Sequence, residues 1–229
     1  MNEYQKGLLR KEINLDISYI CTLQCPKCRR QGIKGKGFSI EGQNLSLGGF
    51  KKIAKYFTDK INFCGQLSDP IFNPHFIEFL KITKEYNTKK VIISTAASSK
   101  KHKQEWYEKS FEANSKALWR FGLDGKPEDS SKYRIGQDGP FLWEMMKIGA
   151  KRGIHIEWQC IVFAYNENYL DELKIMAKDN NIKFREMYSS RWGGKDFNKN
   201  FQPKNKEYFI TYEAAHGENW YEQYKKQQE

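Results

Sequence analysis

The chain reads as an α/β protein, a partial parallel (β/α)6 barrel followed by a C-terminal helical tail. Three observations lead there. Strand-like segments alternate with amphipathic helical ones from Ile13 to Met187, which implies parallel strands joined by right-handed crossovers. The alternation runs through six units, too few to close an eight-fold barrel but enough for a partial one. Three of the five cysteines follow the first strand directly, at the end of a parallel strand where such barrels place their chemistry.

In chain order, Ile13 to Ile20 alternates apolar and polar residues and delivers Cys21 at its C-terminal end. Gly32-Ile33-Lys34-Gly35-Lys36-Gly37 reads as a glycine-rich basic loop without Walker spacing. Helical periodicity from Leu47 to Phe57 precedes a strand at Ile61 to Cys64. A helix from Pro74 to Tyr86, started by Pro74 with Asn73 as cap, precedes the apolar strand Val91 to Ser94. Helix Lys103 to Asn114 then leads to strand Ala117 to Leu123, helix Phe141 to Arg152 to strand Ile154 to Phe163, and helix Tyr169 to Lys178 to strand Ile182 to Met187. Arg191-Trp192-Gly193-Gly194-Lys195 breaks the rhythm, which divides the chain into a core of residues 1–195 and a tail of residues 196–229 packing on it. The tail carries Tyr208, Phe209, Tyr212, Trp220, Tyr221 and Tyr224, expected to cover the open side or bottom of the barrel.

At 229 residues the chain fits one domain with a sizeable core. No apolar run approaches the ~20 residues of a membrane span, so a soluble, cytoplasmic protein is expected. The formal charge of +11 favours an anionic partner: nucleic acid, a phosphorylated small molecule or an acidic redox protein. Lys51, Lys52 and Lys55, and Lys100, Lys101 and Lys103, read as solvated faces and loops. Arg29, Arg30, Lys34 and Lys36 differ because they flank the cysteines.

The cysteines stand as Cys21-Thr22-Leu23-Gln24-Cys25-Pro26-Lys27-Cys28. Three thiolates on one loop hold three corners of an iron–sulfur cube and leave the fourth iron open. The alternative is zinc, since Cys25-Pro26-Lys27-Cys28 is half a zinc knuckle. A closed zinc site needs a fourth ligand, and Cys64, Cys160 and the four histidines are scattered singly. A disulfide framework is disfavoured by the odd cysteine count, the Lys-rich composition and the lack of a signal-peptide pattern.

The spacing of Cys21, Cys25 and Cys28 resembles the cluster motif of the radical S-adenosylmethionine (SAM) enzymes, with Lys27 where that family usually has an aromatic residue. The resemblance implies a 4Fe-4S cluster whose open iron chelates SAM, and an electron that cleaves SAM to a 5′-deoxyadenosyl radical. Further segments extend it over Ile13 to Met187. Ser68-Asp69-Pro70 is similar to the family's Gly-Glu-Pro segment, implying that Ser68 and Asp69 meet the SAM amino group. Ser94-Thr95-Ala96 resembles its Thr-Asn-Gly turn, with Thr95 as a hydroxyl near SAM or as a cap of the turn. Gly122-Leu123-Asp124-Gly125 with Arg134 resembles the Ser-Leu-Asp-Gly and Arg-Gly pattern of the branch containing molybdenum-cofactor and peptide-modifying (SPASM-type) enzymes. Gly122 replaces the serine, and Arg134 is the fork for the SAM carboxylate. Gln159 and Asn166 fall where that branch has a Gln and an Asn near SAM.

On the fifth strand, His155, Glu157 and Gln159 share one face, which is expected to line a ligand cavity. Glu157 has no family match; it either binds a substrate cation, exchanges a proton, or pairs with a lysine. No cysteine follows Cys160, so one cluster and no auxiliary-cluster domain are expected. The resemblance therefore implies a single-domain radical SAM enzyme that abstracts hydrogen from an unknown substrate, for which the basic charge favours an anion, and takes its electron from a flavodoxin or ferredoxin. Two other readings stay open: a zinc-containing nucleic-acid or protein binding module, and a degenerate barrel that binds the cluster without turnover.

Overall fold

Side chains that alternate along parallel strands give the sheet two chemically different faces. The computed structural model describes residues 5–6, 9–97, 101–189 and 199–208. Six strands, β1 (Glu12–Leu15), β2 (Lys60–Phe63), β3 (Lys90–Thr95), β4 (Leu118–Gly122), β5 (His155–Ile161) and β6 (Lys183–Met187), pair in chain order, all parallel. The connecting helices are α1 (Arg29–Gly35), α2 (Leu47–Tyr56), α3 (Phe76–Glu85), α4 (Gln104–Ala113), α5 (Gly139–Lys151) and α6 (Leu170–Asp179). This is the predicted open barrel of parallel strand–helix units. The expectations at Ser98, Lys100, the Arg191 to Lys195 break, the 195/196 boundary and the tail beyond Tyr208 fall outside the described residues.

The core lies between the outer face of the sheet and the helices. Ile93, Trp119, Phe121, Ile156 and Trp158 point that way and are all but fully buried. Phe50 of α2 stacks on Phe79 of α3 at 4.2 Å, and Trp143 of α5 meets Trp158 at 5.0 Å. Each such aromatic contributes roughly 1.5–3 kcal/mol by leaving water. Trp158 also loses no hydrogen bond on burial, since its Nε1 donates to Leu123 O at 2.7 Å. The inner face is polar: Asn62 donates to Asn14 at 2.9 Å, Ser94 to Asn62 at 3.3 Å, and Arg120 pairs with Glu157.

Two expectations are corrected. The ladder of β1 ends at Leu15 rather than Ile20. Beyond it the chain is held by single bonds from loops: Cys64 N to Leu15 O, Leu45 N to Ile17 O, and Asp69 N to Ile20 O, at 2.8–3.0 Å. The basic segment at Gly32 to Gly37 is not a loop, because residues 29–35 form α1. Cys28, extended at φ −69 and ψ 133, caps that helix, and its carbonyl accepts from Gln31 and Gly32. Tertiary bonds hold the short helix against its glycine content: Arg30 Nη1 donates to Tyr19 O at 2.7 Å and to Leu67 O at 2.8 Å. Arg30 is therefore buried, and does not belong to a solvent-facing basic cluster.

His102 stacks on Trp106 of α4 at 3.8 Å and 4°, with Nδ1 buried and unpartnered among the described residues. Burial lowers its pKa to about 4 from 6.5. The fold thus favours neutral imidazole: its contribution is complete above about pH 6.5 and is lost as pH falls toward 4. Denaturation midpoints of the wild type and His102→Gln should converge over that window and run parallel above it; a constant gap from pH 7 to pH 4 would contradict the buried neutral histidine.

Candidate functional site

Where the strands stop, their last backbone groups lose ladder partners, and the loops that satisfy them frame one cavity of about 220 Å³. Cys21, Cys25 and Cys28 line it, together with Ser68, Asp69, Thr95, Arg134 and Gln159. These eight residues, three proposed for the cluster and five for SAM, therefore meet at the C-terminal ends of β1 to β5.

The loop after β2 is set by two carboxylates. Asp16 Oδ2 accepts the N–H groups of Gln66 and Leu67 at 3.0 and 3.3 Å, and its Oδ1 accepts the Ser68 hydroxyl. Asp69 accepts the Thr95 hydroxyl at 2.6 Å and Ile71 N at 3.3 Å on Oδ1, and Ala96 N at 2.9 Å on Oδ2. Burial raises the Asp69 pKa while these hydrogen bonds pull it down. Thr95 does cap its turn, accepting Ala97 N at 2.8 Å. Gly65 is required by close approach, since a Cβ there would lie 1.8 Å from Ser68 O. Ser68, Asp69 and Thr95 thus stand at the wall with their polar atoms already bonded to protein.

The loop after β4 centres on an ion pair. Arg134 Nε lies 2.8 Å from Asp124 Oδ2 but off the hydrogen-bonding direction, and Nη2 reaches Oδ1 at 3.4 Å. Asp124 Oδ1 also accepts Ile161 N at 2.8 Å. Burial works against a charged Arg134, but Asp124 and then Cys25 outweigh it and raise its pKa. Burial likewise raises the Asp124 pKa against the pull of Arg134. The guanidinium sits over Gly122, where a Cβ would lie 2.8 Å from Cζ. A side chain at that position would occupy the space of the arginine. The Arg134 loop also reaches the cysteine loop, with Gln24 N donating to Ile135 O at 3.0 Å.

The three thiols are half-buried. Burial pushes Cys25 up to about 11, with Arg134 pulling it down and Cys28 and Cys21 adding to the rise. Among the described residues, no three His, Cys, Asp or Glu side chains close around a single ion. One zinc requires four donors converged on one point, whereas a cube takes each thiolate on a different iron. The three thiols share one cavity with the Arg134 guanidinium, which acts on Cys25.

Some residues stand elsewhere than expected. Asn166 does not line the cavity: it is fully buried, its Oδ1 accepting Phe163 N at 2.8 Å and its Nδ2 donating to Ile161 O at 2.9 Å. Glu157 pairs with arginines, Arg120 and Arg185, not with a lysine. Gln137 was missed; its amide donates to Ala96 O and Gly122 O at 2.7 and 2.8 Å and joins the turn after β3 to β4. Nothing in its local sequence marks it, whereas Asp16 and Arg120 carried a signal as polar residues on the inner face. A larger groove, about 920 Å³ between α3 and α4, contains no thiol and none of these residues.

Because Gly122 and Arg134 are in contact, Gly122→Ala should displace the guanidinium from Asp124 and cost about 1–3 kcal/mol in chemical denaturation. An unchanged unfolding free energy would mean that the arginine does not rest there.

No family model and no curated protein matches this sequence. Solved structures do match in fold. Streptococcus suis SuiB is similar over 95% of this chain and 47% of its own, at TM-score 0.63 and 13% identity. Native anSMEcpe with bound AdoMet is similar over 80% of this chain and 52% of its own, at TM-score 0.58 and 14% identity. TYW1 with a lysine-pyruvate adduct bound is similar over 87% of this chain and 74% of its own, at TM-score 0.54 and 14% identity. This chain spans about half the length of the first two, and at these identities the likeness establishes a shared fold.

Proposed function

We propose that this chain is a radical SAM enzyme, with a 4Fe-4S cluster on Cys21, Cys25 and Cys28 and SAM bound in the same cavity. The observation that carries it is the meeting of these three thiols with Arg134, Gln159 and the loop after β2 in one cavity. Fold-mates with bound AdoMet, anSMEcpe and SuiB, support it. When bound, the cluster supplies the electron that cleaves SAM. The protein's own contribution is placement. Asp16 and Asp69 fix the loop after β2, so that its backbone meets the amino-acid end of SAM, with Ser68, Asp69 and Thr95 as frame. Arg134, anchored by Asp124, offers its remaining N–H groups to the carboxylate, and Gln159 brings an amide with no hydrogen bond among the described residues.

Each of Cys21→Ala, Cys25→Ala and Cys28→Ala should abolish iron and sulfide uptake, whereas Cys64→Ala and Cys160→Ala should retain it. Dithionite-reduced wild type should release 5′-deoxyadenosine and methionine. Full cluster content in Cys25→Ala would exclude the assignment. Stoichiometric zinc without sulfide would favour the binding module, and a cluster without SAM cleavage would favour the degenerate barrel.

The reductant is proposed to dock on α1, whose Arg29 and Lys34 are exposed, as is Lys36 at its end. An acidic flavodoxin or ferredoxin fits that field. Replacing these three with Gln should slow flavodoxin-driven turnover about tenfold at low salt, with dithionite-driven cleavage unchanged. Equal loss with both reductants would place α1 in SAM binding instead.

A further inference from the structure

We infer that the β4–β6 half of the inner face is an oxyanion subsite, in which Arg120 and Arg185 hold a carboxylate or phosphoryl group of the substrate. The inference deepens the proposed function, because the subsite adjoins the cysteine cavity that Arg120 also lines.

This half of the inner face carries more positive than negative charge. Arg120 Nε and Arg185 Nη1, the latter at 3.6 Å, converge on the same oxygen of Glu157. Glu157 is 3% exposed, and its register partner on β6 is the exposed Lys183. Two guanidiniums therefore share one carboxylate oxygen, with a further cation in register on the edge strand. Other acids do not restore the balance: Glu186 pairs with Lys174 at 2.6 Å, Asp124 is taken by Arg134, and Asp16 and Asp69 are engaged in the loop after β2.

The second element is orientation. Glu157 engages Arg120 through Nε and leaves its two terminal nitrogens without a hydrogen bond among the described residues. Arg120 is 19% exposed, so the fork is held in place yet reachable from the cavity. A guanidinium fixed at Nε with both terminal nitrogens open presents parallel donors that match an oxyanion bidentately. Arg185, 44% exposed on the edge strand, supplies a second charge from the solvent side. The geometry disfavours a substrate cation at Glu157, whose position two arginines already occupy.

The test is calorimetric titration of the full chain with inorganic phosphate and, separately, acetate, which distinguish the phosphoryl and carboxylate sources. At least one should bind, and Arg120→Gln should weaken it about tenfold. Arg185→Gln should weaken it severalfold, while Glu157→Gln, which releases both guanidiniums, should tighten it. Opposite signs for Arg120→Gln and Glu157→Gln are what a purely structural triad does not produce. SAM affinity should remain within a factor of about two in Arg120→Gln, whereas the same loss for SAM would assign Arg120 to the SAM carboxylate and overturn the subsite. Binding of neither anion, or weakening by all three substitutions, overturns it also. If Arg120→Gln misfolds, Arg185→Gln against Glu157→Gln decides the sign. Calorimetry needs no iron, so failure of cluster assembly and failure of the anion subsite are read separately. In cluster-loaded, reduced protein, line broadening of the bound anion's NMR signal, lost in Arg120→Gln, would place it beside the thiols.

Discussion

The site depends on how the polar groups at the C-terminal ends of a parallel ladder are satisfied once the ladder stops. An unpaired buried N–H costs about 1–3 kcal/mol, and the strand ends here present several at once. Side chains from the next strand or loop answer each one. Asp69 takes the Ala96 amide after β3, Asp124 takes the Ile161 amide at the end of β5, and Gln137 donates to the carbonyls of Ala96 and Gly122. Each bridge joins two strand ends, so the loops that line the cavity are mutually fixed before any ligand arrives. Preorganisation of this kind lowers the ordering cost of binding.

The same bridges explain what was legible in the sequence. Strand and helix order follows from apolar period, and the outer faces of β2 and β4 are read from Ile, Phe and Trp at alternate positions. The cysteine loop is legible because thiol spacing is local. Side-chain roles at strand ends are not, because partners such as Thr95 and Asp69 lie 26 positions apart. Resemblance placed Ser68, Asp69 and Thr95 at the cavity but could not show that their polar atoms bond to protein. Asn166 departs from its expected place and Gln137 goes unmarked for the same reason: a buried amide is defined by which backbone groups reach it.

The helix α1 shows a different limit. Four glycines between residues 32 and 42 argue for a loop, yet two of them, Gly32 and Gly35, sit within a helix that Arg30 clamps to Tyr19 and Leu67. Local propensity differs from the outcome by tenths of a kcal/mol to about 1 kcal/mol per glycine, and two charge-assisted bonds outweigh that. The clamp also ties the start of the helix, and so Cys28, to the loop after β2. The cysteine loop and the loop after β2 are therefore one mechanical unit.

The inner face follows from the openness of the barrel. A closed barrel of eight strands fills its centre with apolar layers, but a partial barrel with polar inner positions leaves a surface for a ligand. A nearly buried carboxylate such as Glu157 is costly unless paired, and pairing it once would suffice for stability. Here it meets two arginines and faces a lysine in register. The edge strand adds positive charge beyond that pairing, and an oxyanion placed between Arg120 and Arg185 would relieve the repulsion between them.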